Sequence, residues 1–194
     1  MQAALAGGER IYSILDAEPE PADPPGTPAL GPVAGEIAFD HVTFAYNLGT
    51  AVLHDVSFQI AAGQTVALVG QTGAGKTTIA NLIPRFYDVT SGVVRVDGQD
   101  VRAVTRQSMR RQIAIVLQEP FLFSGTIAAN IGYGKLDATR EQIEAAAKAV
   151  DAHGFIAALP DGYDTVLGAA GGTLSQGQRQ LLAFARAILS IRAS

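Results

Sequence analysis

Gly70-Gln71-Thr72-Gly73-Ala74-Gly75-Lys76-Thr77-Thr78 is a glycine-rich segment between the apolar run Val66–Val69 and a stretch with helical character, Lys76–Arg85. It matches the pattern G-x-x-x-x-G-K-[ST], which is typical of loops that cradle phosphate groups. Its glycines allow the backbone to curl so that successive N–H groups point inward at phosphate oxygens. The start of the following helix adds partial positive charge and unpaired N–H donors. The segment therefore predicts a nucleotide phosphate site.

Three side chains at the end of this segment suit a magnesium-bound triphosphate. Lys76 would reach the β- and γ-phosphates, the Thr77 hydroxyl would ligate Mg²⁺, and Thr78 would support the α-phosphate. The alternative is a glycine-rich turn that only joins a strand to a helix. The position of the loop between an apolar run and a helical stretch favours nucleotide binding, but the motif does not name the reaction.

The chain on either side of the loop predicts an α/β fold that opens with antiparallel strands. Alternating apolar residues over Ile37–Tyr46 and Val56–Ile60 are typical of half-buried strands, with a change of face near Asp40-His41. The continuous run Val66–Val69 predicts a strand buried on both faces. Further strands, a tight turn and two helical stretches are predicted over Val93–Val96, Asp97-Gly98, Ile113–Leu117, Thr139–Ala158 and Gln176–Leu189.

Proline marks a boundary near the beginning of the chain. Six of the nine prolines lie between Pro19 and Pro32. Because proline fixes φ and lacks an N–H, this stretch can be neither a helix nor an inner strand. We interpret residues 1–18 as a helix, residues 19–35 as a stiff Pro-rich linker and residues 36–194 as the main domain.

Composition narrows the class of protein. The 194 residues carry a formal net charge of -4 and are 48% hydrophobic, which favours a packed core and gives no support to a nucleic-acid coat protein. The absence of cysteine excludes disulfides, thiolate metal sites and cysteine nucleophiles. The three histidines have no second ligand at metal spacing. No apolar run is long enough for a membrane span, and no secretory signal precedes the helix. We expect a soluble α/β chain in a reducing or neutral compartment.

Acidic residues at strand ends would normally hold magnesium and activate water in a nucleotide hydrolase. Asp97 follows an apolar run, but Asp97-Gly98 is a strong tight-turn signal, which favours a hairpin. Glu119 follows Gln118, and Pro120 then turns the chain away. The sequence therefore offers no convincing general base.

Leu174-Ser175-Gln176-Gly177-Gln178 begins an amphipathic helix, and Ser175 alone would be interpreted as an ordinary helix cap. Together with the phosphate loop and with Gln118 at the end of Ile113–Leu117, however, it resembles the ATP-binding cassette (ABC) family. In this resemblance Tyr46 looks like the aromatic residue that stacks on adenine. Gln118 looks like the family's glutamine that contacts Mg²⁺ or water, and residues 174–178 look like the family signature. The simpler alternatives are a plain strand aromatic for Tyr46 and a polar strand end for Gln118.

The resemblance implies an α/β P-loop NTPase with an antiparallel β subdomain and a helical signature subdomain. It also implies that two cassettes face head to tail and sandwich two ATP molecules with Mg²⁺. Ser175 would then cap the γ-phosphate of an ATP held by Lys76 of the opposite cassette. The implied partners are a second cassette, in a homodimer or a heterodimer, and a membrane-spanning domain, with no nucleic acid. The implied location is the cytoplasmic face of a membrane.

Two phrases are similar to exporters whose membrane and nucleotide domains share one chain. They are Pro120–Ile127 after the glutamine, and Glu9–Asp16 followed by the Pro-rich linker, although the second could equally be an unrelated helix. Two departures reduce the likeness. Ala169 stands where exporters usually have a glutamate that faces the membrane domain, and Gln176 replaces a signature glycine.

The resemblance also implies features that the sequence lacks. After Leu189 the family continues into an apolar strand ending in Asp-Glu, a dimer-contact loop and a switch histidine, so the fold is expected to be incomplete at its C-terminus. The family's catalytic glutamate belongs to these features. We therefore expect weak ATP binding without efficient hydrolysis, and unpaired strand edges beside the phosphate loop.

Other classes remain as alternatives. A chromosome-maintenance or repair ATPase shares the two motifs but separates them by a long coiled coil, whereas no sustained heptads occur here, and the acidic net charge also disfavours DNA binding. A soluble cassette that pairs with a separate membrane subunit is disfavoured by the exporter-like phrases. A non-catalytic nucleotide-binding module stays open.

Overall fold

The computed structural model describes residues 12, 15–17, 19–47, 49–168 and 174–191. Most of the helix expected over residues 1–16 and Ala169 lie outside the described residues, so those two predictions stay predictions. Within the described ranges, no helix has the combination of length and apolar character needed to cross a membrane.

The first half of the domain is built on a four-stranded antiparallel sheet. Its strands are β1 (Ile37–Phe44), β2 (Leu53–Ile60), β3 (Ser91–Val96) and β4 (Gln99–Asp100), arranged in the order β2-β1-β3-β4. The expected change of face in β1 is confirmed, because the pairing of β1 with β2 and with β3 shifts register after residues 39 and 40. The predicted turn between β3 and β4 is confirmed as well, since Asp97 and Gly98 both have positive φ, as a tight hairpin turn requires.

One face of this sheet packs on helix α1 (Lys76–Leu82), which follows the glycine-rich loop, and on helix α2 (Arg106–Arg110). The fully buried side chains there are contributed by strands, helices and the connecting segments: Phe39, Val42, Phe44, Leu53, Leu82, Val94, Val104 and Met109. This core fixes the end of β1 and the start of α1 relative to one another.

The second half is mostly helical, as the sequence predicts. A short hairpin of β5 (Gly125–Thr126) and β6 (Val166–Leu167) accompanies four helices and a 3₁₀ turn. The helices are α3 (Ile127–Gly132), α4 (Arg140–Ala149), α5 (His153–Ala157) and α6 (Gln176–Ile191), and the 3₁₀ turn is Gly162–Asp164. The single helical stretch expected over Thr139–Ala158 is wrong in detail, because the chain breaks between α4 and α5 at Asp151, which has φ of 57°.

Two predicted strands are wrong. Val66–Val69 and Ile113–Leu117 carry no strand pairing, and they are not buried: Val69 is 90% exposed and Leu117 is 60% exposed. A strand buried on both faces needs a hydrogen-bonded neighbour, and the described residues offer neither segment one. The apolar run reports the potential for burial, whereas the ladder depends on a partner elsewhere. The expected unpaired strand character beside the phosphate loop therefore takes the form of two extended segments outside the sheet.

The Pro-rich stretch does not project away from the domain. We call residues 19–36 the Pro-rich strap, because this segment lies along α2 and buries Leu30 in the core of the sheet half. Leu30 N–H donates to Ser108 Oγ at 2.8 Å, and Val33 N–H donates to Gln112 Oε1 at 2.9 Å. Its end is fixed by the carboxylate of Asp97, which accepts hydrogen bonds from the backbone N–H groups of residues 34, 35 and 36.

Candidate nucleotide-binding site

The predicted phosphate loop leads directly into α1, and two of its glycines are required by geometry. Gly73 and Gly75 have φ of 86° and 85°, in the left-handed region that favours glycine. A Cβ atom on Gly75 would lie 2.6 Å from Leu53 Cδ2, whereas a Cβ on Gly73 would meet nothing within 4 Å. Gly75 is also the residue at which α1 begins. Strand β2 and the loop are therefore packed together at the start of α1.

The ammonium group of Lys76 lies over the loop. Its Nζ donates hydrogen bonds to the carbonyl oxygens of Gly70 and Gln71, both at 2.8 Å. An ammonium has three N–H donors, so one donor remains for a phosphate oxygen without breaking either bond. The loop residues 70–74 are exposed, which leaves this cationic face open to a ligand.

Tyr46 and Thr78 are brought together by the fold, although 31 residues separate them in the sequence. The Tyr46 hydroxyl lies 3.1 Å from Thr78 Oγ1, within hydrogen-bond distance. Thr78 is buried in the first turn of α1 with 4% exposure, whereas Tyr46 is 44% exposed just beyond the end of β1. The residue expected to contact a base and a residue expected to contact phosphate therefore share one hydrogen bond.

The two residues expected to contact Mg²⁺ are both exposed. Thr77 follows Lys76 in α1, and Gln118 lies at a bend after the extended segment Ile113–Leu117. The backbone oxygen of Gln118 accepts a hydrogen bond from Gln180 Nε2 of α6 at 3.3 Å. No hydrogen bond joins the Gln118 side chain to the phosphate loop in the part of the chain that the structure describes. The fold thus attaches Gln118 to the signature helix and not to Thr77.

The predicted signature residues form the exposed end of α6. Ser175 Oγ accepts a hydrogen bond from Gln178 N–H at 3.2 Å, and Gln178 Oε1 accepts one from Ser175 N–H at 2.9 Å. These reciprocal bonds are a capping box, in which two unpaired N–H groups of the helix end are satisfied. Ser175, Gln176 and Gly177 are exposed, while Leu174 is buried below them. The local interpretation of Ser175 as a cap is therefore confirmed.

A group of exposed aromatic side chains lies beside Gln118, and we call it the aromatic patch: Phe121, Phe123 and Tyr133. The Phe123 and Tyr133 ring centroids are 4.5 Å apart, and Arg186 of α6 lies over both rings. The Arg186 guanidinium also donates to the carbonyl oxygens of Asn130 and Phe121. Burial lowers the pKa of Arg186 from its ordinary value. This arginine fixes the segment after Gln118 against the signature helix.

Sequence reasoning missed Tyr87. Its ring centroid lies 5.0 Å from that of Tyr46, with the two rings perpendicular. The available signal was an adjacent pair of aromatic residues, Phe86-Tyr87, shortly after the helix of the phosphate loop. Periodicity could not place them, because they belong to a loop.

Metal coordination by clustered acids or histidines is not a feature of the described residues, among which no group of three His, Cys, Asp or Glu side chains could hold an ion. Asp97 is held by the Pro-rich strap, as the hairpin interpretation predicts. Oxygen ligands for magnesium in this site would therefore be the Thr77 hydroxyl, the Gln118 amide oxygen and the phosphates themselves, which is a chemically suitable set.

Comparison with known proteins gives consistent results. The family model described as ABC transporter matches residues 53–192. The chain is 49% identical over 189 residues to an "ATP-dependent lipid A-core flippase" of Legionella pneumophila (strain Lens), covering 97% of this chain and 32% of that protein. It is 46% identical over 190 residues to a "Fatty acid ABC transporter ATP-binding/permease protein" of Mycobacterium bovis, covering 98% and 30%.

A solved structure agrees with these relatives. The chain superposes on a bacterial Atm1-family ABC exporter with ATP bound, with a TM-score of 0.86 and 43% sequence identity, covering 97% of this chain and 33% of that one. The expected α/β ABC ATPase fold is therefore confirmed. The chain spans about a third of the length of the relatives it matches.

Proposed function

The chain belongs to the ABC transporter family, and we propose that it is the ATP-binding part of an exporter, in which ATP binding and hydrolysis drive transport across a membrane. The observation that carries this proposal is the shared hydrogen bond between Tyr46 and Thr78, beside a loop whose lysine still has a donor to give. That arrangement puts a surface for a base and a cradle for a triphosphate side by side. The proposed ligand is ATP with Mg²⁺.

Each residue of the loop has a role that its geometry supports. The N–H groups of residues 70–75 and the ammonium of Lys76 would neutralise the phosphates, and the Thr78 hydroxyl would support the α-phosphate. Tyr46 would stack on adenine, since an aromatic ring offers a large contact area with few torsions to fix. Magnesium would bridge the phosphates, with Thr77 and Gln118 as its protein ligands, because it commonly binds through one or two protein oxygens and several phosphate or water oxygens.

The exposed end of α6 would bind the ATP of a second cassette. The helix has 16 residues, and its N-terminus combines partial positive charge with the exposed residues Ser175, Gln176 and Gly177. Ser175 accepts a bond within its own capping box, but its hydroxyl hydrogen remains available as a donor to a γ-phosphate oxygen. Two copies, or this chain and a related one, would thus enclose two ATP molecules.

The proposed membrane-spanning partner would contact the aromatic patch. Its rings are exposed and lie directly after Gln118, so a protein docked there would contact the segment that carries the magnesium ligand. Arg186 would transmit that contact to α6 through its bonds to Asn130 and Phe121. Two relatives have names that support the proposal, one a flippase and the other an ATP-binding/permease protein. The proposed location is the cytoplasmic face of a membrane.

The proposed activity of these 194 residues by themselves is binding with little hydrolysis. Two acids follow apolar runs in the sequence, and neither suits a general base: Asp97 is occupied by the Pro-rich strap, and Glu119 lies at the exposed bend after Gln118. Without a base to take a proton from water, turnover would lose a factor of about 10² to 10⁴.

Titration calorimetry with Mg·ATP tests the proposal, with Lys76→Ala as the site variant and Lys148→Ala as the control. We expect the wild type and the Lys148 variant to bind ATP alike, and the Lys76 variant to bind at least tenfold more weakly, since charge-assisted hydrogen bonds to phosphate are lost. Phosphate release that depends on Lys76 would show that these residues hydrolyse ATP. Equal ATP binding by all three proteins would refute the site.

A further inference from the structure

Tyr46 is fixed by three contacts, and only one of them comes from the helix of the phosphate loop. Its hydroxyl bonds to Thr78 Oγ1 at 3.1 Å. Its ring contacts Phe44, with centroids 4.8 Å apart and planes at 85°, and Tyr87, with centroids 5.0 Å apart and planes at 90°. These edge-to-face contacts fix the direction in which the ring faces. Neither neighbouring ring is stacked parallel on Tyr46, and 44% of Tyr46 is exposed.

Tyr87 belongs to a loop with firm anchors on either side. Arg85 is buried with φ of 54°, and its Nε donates to Asp88 Oδ1 at 2.6 Å. Arg106 of α2 donates to the other oxygen of Asp88 at 3.4 Å. Beyond Asp88, Thr90 N–H donates to the Thr43 carbonyl of β1 at 3.0 Å. The backbone on both sides of Tyr87 is therefore tied to the domain, whereas the Tyr87 residue itself is 45% exposed.

A buried anchor would suffice if this loop only had to close the domain. The loop instead presents an aromatic ring at the surface, perpendicular to the ring of Tyr46 and 5.7 Å from that of Phe44. Phe44 is almost fully buried and cannot turn outward, so Tyr87 is the exposed member of this aromatic trio next to Tyr46. Without Tyr87, one side of the Tyr46 ring would lose its neighbour and the ring could rotate.

We infer that Tyr87 is a positioning residue for base recognition: it holds the Tyr46 ring in the orientation in which a nucleotide base stacks on it. This inference rests on the proposed function. Tyr87 does not contact the phosphates in this scheme and acts through Tyr46. Its contribution should therefore appear only for ligands that carry a base, and it should depend on the ring and not on the hydroxyl.

The test compares two ligands and three proteins by titration calorimetry on the 194-residue chain. The ligands are Mg·ATP and magnesium tripolyphosphate, which offers the phosphates without a base. The proteins are the wild type, Tyr87→Leu, which removes the ring but keeps apolar bulk, and Tyr87→Phe, which keeps the ring. Denaturant unfolding of each protein verifies that it is folded before the titration.

We expect Tyr87→Leu to weaken ATP binding about threefold to tenfold, the range of an edge-to-face contact, and to leave tripolyphosphate binding unchanged. Tyr87→Phe should bind ATP like the wild type. Equal ATP affinity in the leucine variant overturns the inference. So does an equal loss for both ligands, or a leucine variant that does not fold while the phenylalanine variant binds ATP more weakly than the wild type, since those results assign Tyr87 to the fold.

The same titrations separate this inference from the proposed function. A wild type that binds tripolyphosphate as tightly as ATP retains the phosphate site and overturns base stacking, and with it the role of Tyr87. A wild type that binds neither ligand refutes the nucleotide site itself.

Discussion

Asp23 accepts two hydrogen bonds from Arg106, one from the backbone N–H at 2.9 Å and one from Nη1 at 3.0 Å. The arginine side chain is buried, and it also lies within 3.4 Å of Glu20 and of Asp88. A segment that precedes the sheet is thus joined through one guanidinium to the loop that carries Tyr87. The strap and the nucleotide site share this ion cluster.

Removing the Asp23 carboxylate should destabilise the domain. We expect Asp23→Ala to lower the free energy of unfolding by about 1–3 kcal/mol, because a buried charged group loses its closest acceptor. Urea unfolding measures the change, and Asp137→Ala, at an exposed acid outside the cluster, serves as the control with little change expected. Equal stability of the two variants would mean that Glu20 and Asp88 compensate fully.

The two left-handed glycines of the loop should respond differently to alanine. Gly73→Ala should cost about 1–2 kcal/mol of unfolding free energy, which is the backbone penalty alone. Gly75→Ala should cost more, because its Cβ would also collide with Leu53, and it should weaken ATP binding by displacing the loop. Chemical denaturation and calorimetry of both variants provide the comparison. A Gly75 variant no less stable than the Gly73 variant would contradict the contact with β2.

Two capping boxes in this domain allow the cap of Ser175 to be separated from its proposed role in a dimer. Thr139 and Gln142 form the same reciprocal bonds at the start of α4. Ser175→Ala and Thr139→Ala should each lower stability by about 1 kcal/mol. Only Ser175→Ala should also weaken ATP-dependent dimerisation, measured by analytical ultracentrifugation with a soluble cassette that completes the family's hydrolytic residues. A similar loss of dimer in both variants would assign Ser175 to the cap alone.

A histidine at the bulge of β1 should make stability depend on pH. The hydrogen bond from Asp55, together with the charges of Asp55 and Asp40, raises the pKa of His41 above its ordinary value of 6.5. Since the folded-state pKa is the higher one, the pair stabilises the fold fully at pH values below the unfolded-state pKa. The contribution is lost as pH rises through the folded-state pKa.

We therefore expect the urea midpoints of the wild type and Asp55→Asn to differ below pH 6 and to converge in mildly alkaline solution. NMR titration of the His41 ring should show a lower pKa in the variant. A constant difference between the two proteins over this pH range would contradict the pairing.

Local features of this fold could be predicted, because their causes lie within a few residues. The phosphate loop needs particular glycines, the Asp97-Gly98 turn needs positive φ, and the Ser175 cap needs an oxygen next to a helix end. Each of these is written in adjacent side chains, and the structure contains all three.

Features that depend on distant partners could not be predicted. Val66–Val69 and Ile113–Leu117 have the residues of strands, but a ladder requires a neighbour that no local pattern reveals. The prolines excluded a helix over residues 19–35, yet the docking of the Pro-rich strap depends on Ser108, Gln112 and Asp97, more than 60 residues away. Tyr87 was missed for the same reason, because its meeting with Tyr46 is a property of the folded loop.

The bonds from Lys76 to Gly70 and Gln71 have a consequence for the speed of ligand capture. The cation already keeps the loop curled, so much of the disorder that a triphosphate would otherwise have to remove is lost when the chain folds. Such preorganisation favours rapid encounter, steered by charge and slowed by added salt, over a slow rearrangement after contact.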